Sequence, residues 1–81
     1  MEEAAVTSYK DPKTRLQELV QAEGKSSPQY TVIKTSGPDH NKIFKVAVII
    51  EGKKTGEGFG RSKQEAEQDA AKLALERSHK I

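Results

Sequence analysis

Gly56-Glu57-Gly58-Phe59-Gly60-Arg61-Ser62-Lys63-Gln64-Glu65-Ala66-Glu67-Gln68-Asp69-Ala70-Ala71-Lys72-Leu73-Ala74-Leu75 is the stretch on which the reading of this chain turns. Three alternating glycines let the backbone run close to something, and they lead into a helix that opens with Arg61, Ser62 and Lys63. Ser62 followed three residues later by Glu65 is a capping box, so the first turn is fixed in place. A helix dipole with two cations at its positive end makes an anion site. The helix itself runs from Lys63 to about Ser78, with Ala66, Ala70, Leu73 and Ala74 along one stripe and Ala71 and Leu75 flanking it. Alanine on a buried face means close approach of the helix backbone to whatever it covers.

Working outward, Lys53 to Phe59 reads as a strand that its glycines make weak, twisted or bulged. Glu51-Gly52 begins a tight turn to the strand before it, Ile43 to Ile50. That strand puts Phe44, Val46, Val48 and Ile50 on one face and Ile43, Lys45, Ala47 and Ile49 on the other. Gly37-Pro38-Asp39-His40-Asn41 is a strong turn, preceded by a first strand from Gln29 to Thr35. Asp11-Pro12 supplies an N-cap and a proline at the first helical position, so a helix is expected from Pro12 to about Glu23, stopping at Gly24. Leu16, Leu19 and Val20 form its apolar stripe. Residues 1–10 carry neither cap nor sustained periodicity and read as a flexible tail or linker remnant, leaving a domain over 11–79.

The order α-β-β-β-α gives an α+β fold, with both helices packed on one face of a three-stranded antiparallel sheet and the other face wet, which suits Lys45 and Thr31. With 81 residues, 33% hydrophobic and 32% charged, there is material for one thin core. There are no cysteines, hence no disulfide or thiolate metal site. No apolar run approaches the roughly 20 residues of a membrane span, and the acidic start Met1-Glu2-Glu3 is unlike a secretory signal. A soluble, cytoplasmic protein with no membrane partner is the expectation. The net charge of +2 does not announce a nucleic-acid binder, but the charges are unevenly spread. Residues 52–81 hold seven cations and five anions, against four and five in residues 1–27.

Catalytic chemistry finds no foothold. His40 and His79 have no ligand spacing between them, and Glu65, Glu67 and Asp69 read as a solvated helix surface. The Gly-x-Gly-x-Gly run has the wrong spacing for a dinucleotide fingerprint, and no Gly-Lys-Ser/Thr follows a four-residue gap as in a P-loop. What remains is a simpler site, in which a helix N-terminus and cations meet the phosphates of a polymer. Thr14, Gln17, Glu18 and Gln21 share the face of the first helix opposite its apolar stripe and include no cation. Hydrogen-bonding groups dominate that face, although an ordinary exposed helix surface would have the same composition. Lys53 and Lys54 at the hairpin read as solvated charges.

Four blocks, in order, match a known pattern: Leu16-Gln17-Glu18, Pro28-Gln29-Tyr30, Gly37-Pro38-Asp39-His40, and Gly58-Phe59-Gly60-Arg61-Ser62-Lys63 leading into Ala66 to Leu75. From Pro12 to Leu75 the chain resembles the double-stranded RNA-binding domain. Residues 11–18 together with 62–68 look most like the C-terminal domain of bacterial ribonuclease III. The resemblance implies a three-part footprint on A-form duplex RNA. Thr14, Gln17, Glu18 and Gln21 would enter one minor groove, with Glu18 accepting from a ribose 2′-hydroxyl that DNA lacks. The Gly37 to Lys42 loop, with Pro38 and His40, would reach the next minor groove. Arg61, Ser62, Lys63 and Gln64 would hold phosphates across the major groove between them.

The pattern departs at Gln64 and Glu67, where many members carry lysine. Glu67 would oppose a phosphate, so weaker binding and a shallower salt dependence are expected. The module itself would use no cofactor. A divalent metal such as Mg2+ would belong to a separate nuclease domain of the parent. The isolated domain would be monomeric, the parent homodimeric, and DNA not preferred. The alternative reading is a protein-protein interaction or dimerisation module on the same fold.

Overall fold

A computed structural model of the protein describes residues 11–78, so the expected tail over residues 1–10 and His79 lie outside the described residues. Helix α1 spans Pro12–Ala22, strand β1 Gln29–Ser36, strand β2 Ile43–Ile50, strand β3 Lys53–Gly60 and helix α2 Lys63–Ser78, with a short 3-10 turn at Asp39–Asn41. The sheet is antiparallel in the order β1-β2-β3. This is the α-β-β-β-α arrangement expected. β1 and β3 each run one residue further than their sequence signals, to Ser36 and Gly60.

Local chemistry sets the ends of α1. The Asp11 carboxylate accepts the Thr14 N–H at 2.9 Å, and Pro12 fills a position whose N–H would have no helical partner. At the other end the Lys25 N–H donates to the Val20 carbonyl and the Gly24 N–H to the Gln21 carbonyl, with Gly24 at φ 76°. This is a Schellman closure, which needs a residue at ease in the left-handed region. Between β2 and β3, Glu51 and Gly52 both take positive φ, 54° and 78°, the twist a two-residue hairpin requires. Glu51 is the side chain held in that region, and its carboxylate accepts the Ser26 N–H at 2.6 Å, tying the hairpin to the α1–β1 loop.

Packing explains the glycines. A Cβ on Gly58 would fall within 2.6 Å of the Ala66 carbonyl oxygen, one on Gly60 within 2.5 Å of the Ala66 nitrogen, and one on Gly56 within 2.9 Å of the Ala70 oxygen. The close partner anticipated for the glycine run is thus the protein's own α2 backbone. The alanines anticipated to approach something closely are its other half, since Ala66, Ala70, Ala71 and Ala74 are wholly buried. Leu16 and Val20 from α1 and Val46, Val48 and Ile50 from β2 complete the core.

Three expectations are corrected. Leu19 is only half-buried. Leu73, placed on the buried stripe, instead lines a shallow hollow with Phe59 along β3. The buried arc of α2 is turned toward Ala71 because the helix packs against α1 as well as the sheet. Ala47, on the open face, is 1% exposed, as the small partner between Thr31 and Glu57 in the register. β3, expected to be weak, twisted or bulged at its glycines, has a bulge at Thr55 instead, where the register shifts between Val48 and Ile49, and a second bulge at Ile33 in β1 was not anticipated.

Gly58→Ala is expected to destabilise the fold at or above the top of the roughly 1–3 kcal/mol range for overpacking, because the obstacle is backbone. The urea midpoint reads this directly. Three carboxyls are held below their ordinary range: half-buried Asp11 by hydrogen bonds from Thr14 and then Gln68, exposed Glu51 by Ser26, and half-buried Glu57 by Lys54 and then Lys45. A depressed folded value means stability present above the unfolded pKa of about 4 and lost as pH falls through the folded value. Stability should therefore be level from about pH 7 to 5 and decline in acid, and Glu51→Gln should make that decline shallower in a pH series of urea melts.

Candidate nucleic-acid interface

The candidate interface residues stand on three separate elements, and the β3–α2 contact sets where they are. On α1, Thr14, Gln17, Glu18 and Gln21 are all exposed, on the side away from buried Leu16 and Val20. On α2, Ser62 caps the helix: its hydroxyl accepts the Glu65 N–H at 3.1 Å and its carbonyl the Ala66 N–H at 3.0 Å. The reciprocal half of the capping box is displaced by one residue, since the Glu65 carboxylate accepts the Arg61 N–H at 3.0 Å. The Ser62 hydroxyl accepts one bond there, leaving its proton for an outside acceptor. Arg61, Lys63 and Gln64 are exposed around this cap.

The β1–β2 loop turns at Gly37, whose φ is 89° and where a Cβ would stand 2.6 Å from the Asn41 carbonyl oxygen. The Asn41 N–H donates to the Pro38 carbonyl at 2.9 Å, closing the short turn that carries His40 into solvent. Lys42 and Asp39 form a loose pair at 3.8 Å.

Two concave surfaces result. Thr14 and Gln17 of α1 share an open groove with Gln64 of α2, together with Asp11, Lys13 and Gln68. His40 shares a second hollow, of about 320 Å³, with Asp39, Asn41, Lys42, Phe44 and Arg61. Arg61, grouped by the sequence with Ser62, Lys63 and Gln64, also lines the hollow of the His40 loop. Glu18, Gln21, Pro38, Ser62 and Lys63 line neither concavity and stand on the exposed surface around them.

The carboxylates of α2 are not simply a solvated surface. Glu67 pairs with Lys13 of α1 at 2.6 Å, and Asp69 accepts the Phe59 N–H of β3 at 3.0 Å. The expectation that Glu67 opposes a phosphate is therefore modified, since its charge is met by a cation. Lys13 and Gln68 were missed as neighbours of the interface because their partners lie 54 to 57 residues away in sequence. Among the described residues, no group of three or more His, Cys, Asp or Glu side chains could hold a metal ion, and no helix is long and apolar enough to cross a membrane.

A polar helix face, an exposed loop and a capped, cationic helix N-terminus on one small αβ frame define a domain that meets an extended, regular polyanion by shape. Comparison with known proteins names its family. The double-stranded RNA binding motif matches residues 12–78, and the chain belongs to that family. It is 54% identical over 69 residues to ribonuclease 3 of Pelotomaculum thermopropionicum, covering 85% of this chain and 29% of that protein. Ribonuclease 3 of Streptococcus pneumoniae strain CGSP14 is 54% identical over 67 residues, covering 83% and 29%. The chain thus spans less than a third of the length of these relatives. Among solved structures, Arabidopsis HYL1 superposes with a TM-score of 0.73 at 33% identity, covering 84% of this chain and 96% of that one. The double-stranded RNA-binding domain of a tRNA-dihydrouridine(20) synthase gives 0.65 at 28% identity, covering 84% and 70%.

Ser62→Ala removes the acceptor for the Glu65 N–H and is expected to cost about 1 kcal/mol of stability, within the usual range for a lost N-cap. Ser62→Asp should recover most of it, and equilibrium urea unfolding of both variants checks the pair.

Proposed function

We propose that this chain binds A-form double-stranded RNA by shape, through two minor grooves and the major-groove phosphates between them, as the substrate-binding module of a ribonuclease III type enzyme. The observation that carries the reading is the placement of three polar surfaces, from α1, the β1–β2 loop and the α2 N-terminus, on a frame of the double-stranded RNA binding family. Thr14, Gln17, Glu18 and Gln21 face ribose 2′-hydroxyls, which both donate and accept. Pro38 and His40 reach the following minor groove. Arg61, Ser62, Lys63 and Gln64 hold phosphates, for which cations, a hydroxyl proton and a helix N-terminus are the fitting chemistry.

The module binds duplex and does not cut it. Cleavage, and the divalent metal such as Mg2+ that would serve it, belong to a separate nuclease domain of a homodimeric, cytoplasmic parent. Two features limit affinity. Few cations face the phosphates, so few counterions are released, and Glu65 places a carboxylate at the same helix end. A protein-docking role for the fold is not favoured, because the family and relatives that match are defined by RNA.

Titration of the protein with a duplex RNA and with the DNA of matching sequence tests the reading by gel shift or NMR. RNA should shift the protein and DNA should bind more weakly. Absence of an RNA complex, or equal affinity for both, overturns it. Lys63→Ala should weaken binding evenly across RNA sequences and reduce the slope of log affinity against log salt by about one. An unchanged slope would put the phosphate contact elsewhere.

A further inference from the structure

The two helices that carry the minor-groove and phosphate residues touch through a surface built mostly from small or smooth apolar side chains. Ala71 of α2 shares the buried core with Leu16 and Val20 of α1, and Leu75 packs against it. Burial of such surface is favourable but has no direction, and it would tolerate a slide of one helix along the other. Hydrogen bonds are directional and would not.

One polar unit spans the pair at the end nearest the interface. Gln68 donates through its Nε2 to Asp11 Oδ2 at 2.9 Å and accepts the Lys13 N–H on its Oε1 at 3.2 Å. Both ends of one amide are thereby committed to the first turn of α1. The other oxygen of Asp11 caps Thr14, and the Lys13 ammonium pairs with Glu67 at 2.6 Å while lying 5.0 Å from the centre of the Tyr30 ring. The clamp therefore grips α1 at Asp11 and Lys13, just before Thr14. It grips α2 one turn past Gln64 and five residues past Lys63.

We propose that Gln68 is a positioning residue for RNA discrimination. Resting on the function proposed above, its amide sets the register of α1 on α2, so that 2′-hydroxyl contacts and phosphate contacts are met at once by the fixed spacing of an A-form duplex. Loss of the clamp leaves the phosphate residues intact. Affinity then falls mainly in the part that distinguishes RNA from DNA, while the salt dependence stays as it is.

The test compares four proteins against the same RNA and DNA duplexes: the unaltered chain, Gln68→Ala, Gln68→Glu, and Gln68→Glu combined with Asp11→Asn. In Gln68→Glu two carboxylates face each other. In the double variant the polarity is exchanged, with an asparagine amide donating to a glutamate, the helix cap kept and the net charge unchanged. The RNA-over-DNA ratio should fall about tenfold in both single variants, the worth of one or two hydrogen bonds, and recover in the double variant, with the salt slope unaltered in the two variants that keep the net charge, Gln68→Ala and the double variant. Single variants that fold and keep the full ratio would overturn the proposal, as would a folded double variant no better than Gln68→Glu. If Gln68→Ala fails to fold, the comparison of Gln68→Glu with the double variant still decides. An unaltered chain that does not prefer RNA would instead overturn the function on which this rests.

Discussion

The contact on which this structure depends is between two backbones. β3 carries no side chain at Gly56, Gly58 or Gly60 where it faces α2, and α2 answers with Ala66, Ala70 and Ala74. Helix and strand therefore approach far more closely than ordinary packing of larger side chains allows. A thin chain with 33% hydrophobic residues gains from this, because short side chains and backbone contacts fill the space that bulky residues would fill elsewhere. Its largest fully buried side chains, Leu16, Val46 and Val48, come from α1 and β2 and share one core with the alanines of α2.

That contact also sets the interface. With α2 held against β3, its N-terminus emerges beside the β1–β2 loop, which is why Arg61 and His40 line one hollow. The opposite flank of the same helix meets α1 and brings Gln64 to Thr14 and Gln17. Three surfaces that are far apart in the chain thus hold fixed distances, and fixed distance is what a protein needs to recognise a duplex by shape.

The acidic residues of α2 show how a nearly neutral domain can present a cationic edge. Glu65 accepts the Arg61 N–H at the cap, Glu67 is paired with Lys13, and Asp69 accepts an N–H from the outer edge of β3. Each of these three carboxylates is engaged within the fold. Asp69 and Arg77, whose guanidinium donates to the Thr55 carbonyl at 3.0 Å, together occupy backbone groups of that edge, which would otherwise be open to pairing with another strand.

What the sequence determined by itself is the set of local features: the order of helices and strands, the Asp11 and Ser62 caps, the Gly24 stop, the hairpin at Glu51-Gly52 and the alternation in Ile43 to Ile50. Each rests on interactions within a few residues, so a linear pattern contains it. The candidate interface residues fall into three groups for the same reason, through helical spacing, turn chemistry and capping. Tertiary structure alone decided which groups meet. It put Arg61 beside His40 and joined Gln68 to Asp11 and Lys13. It gave Glu67 a cation, left Leu73 at the rim, and made the glycine run a seat for α2 instead of a cradle for a ligand. Those outcomes depend on how deeply one backbone can sit against another, a distance that no spacing along the chain expresses.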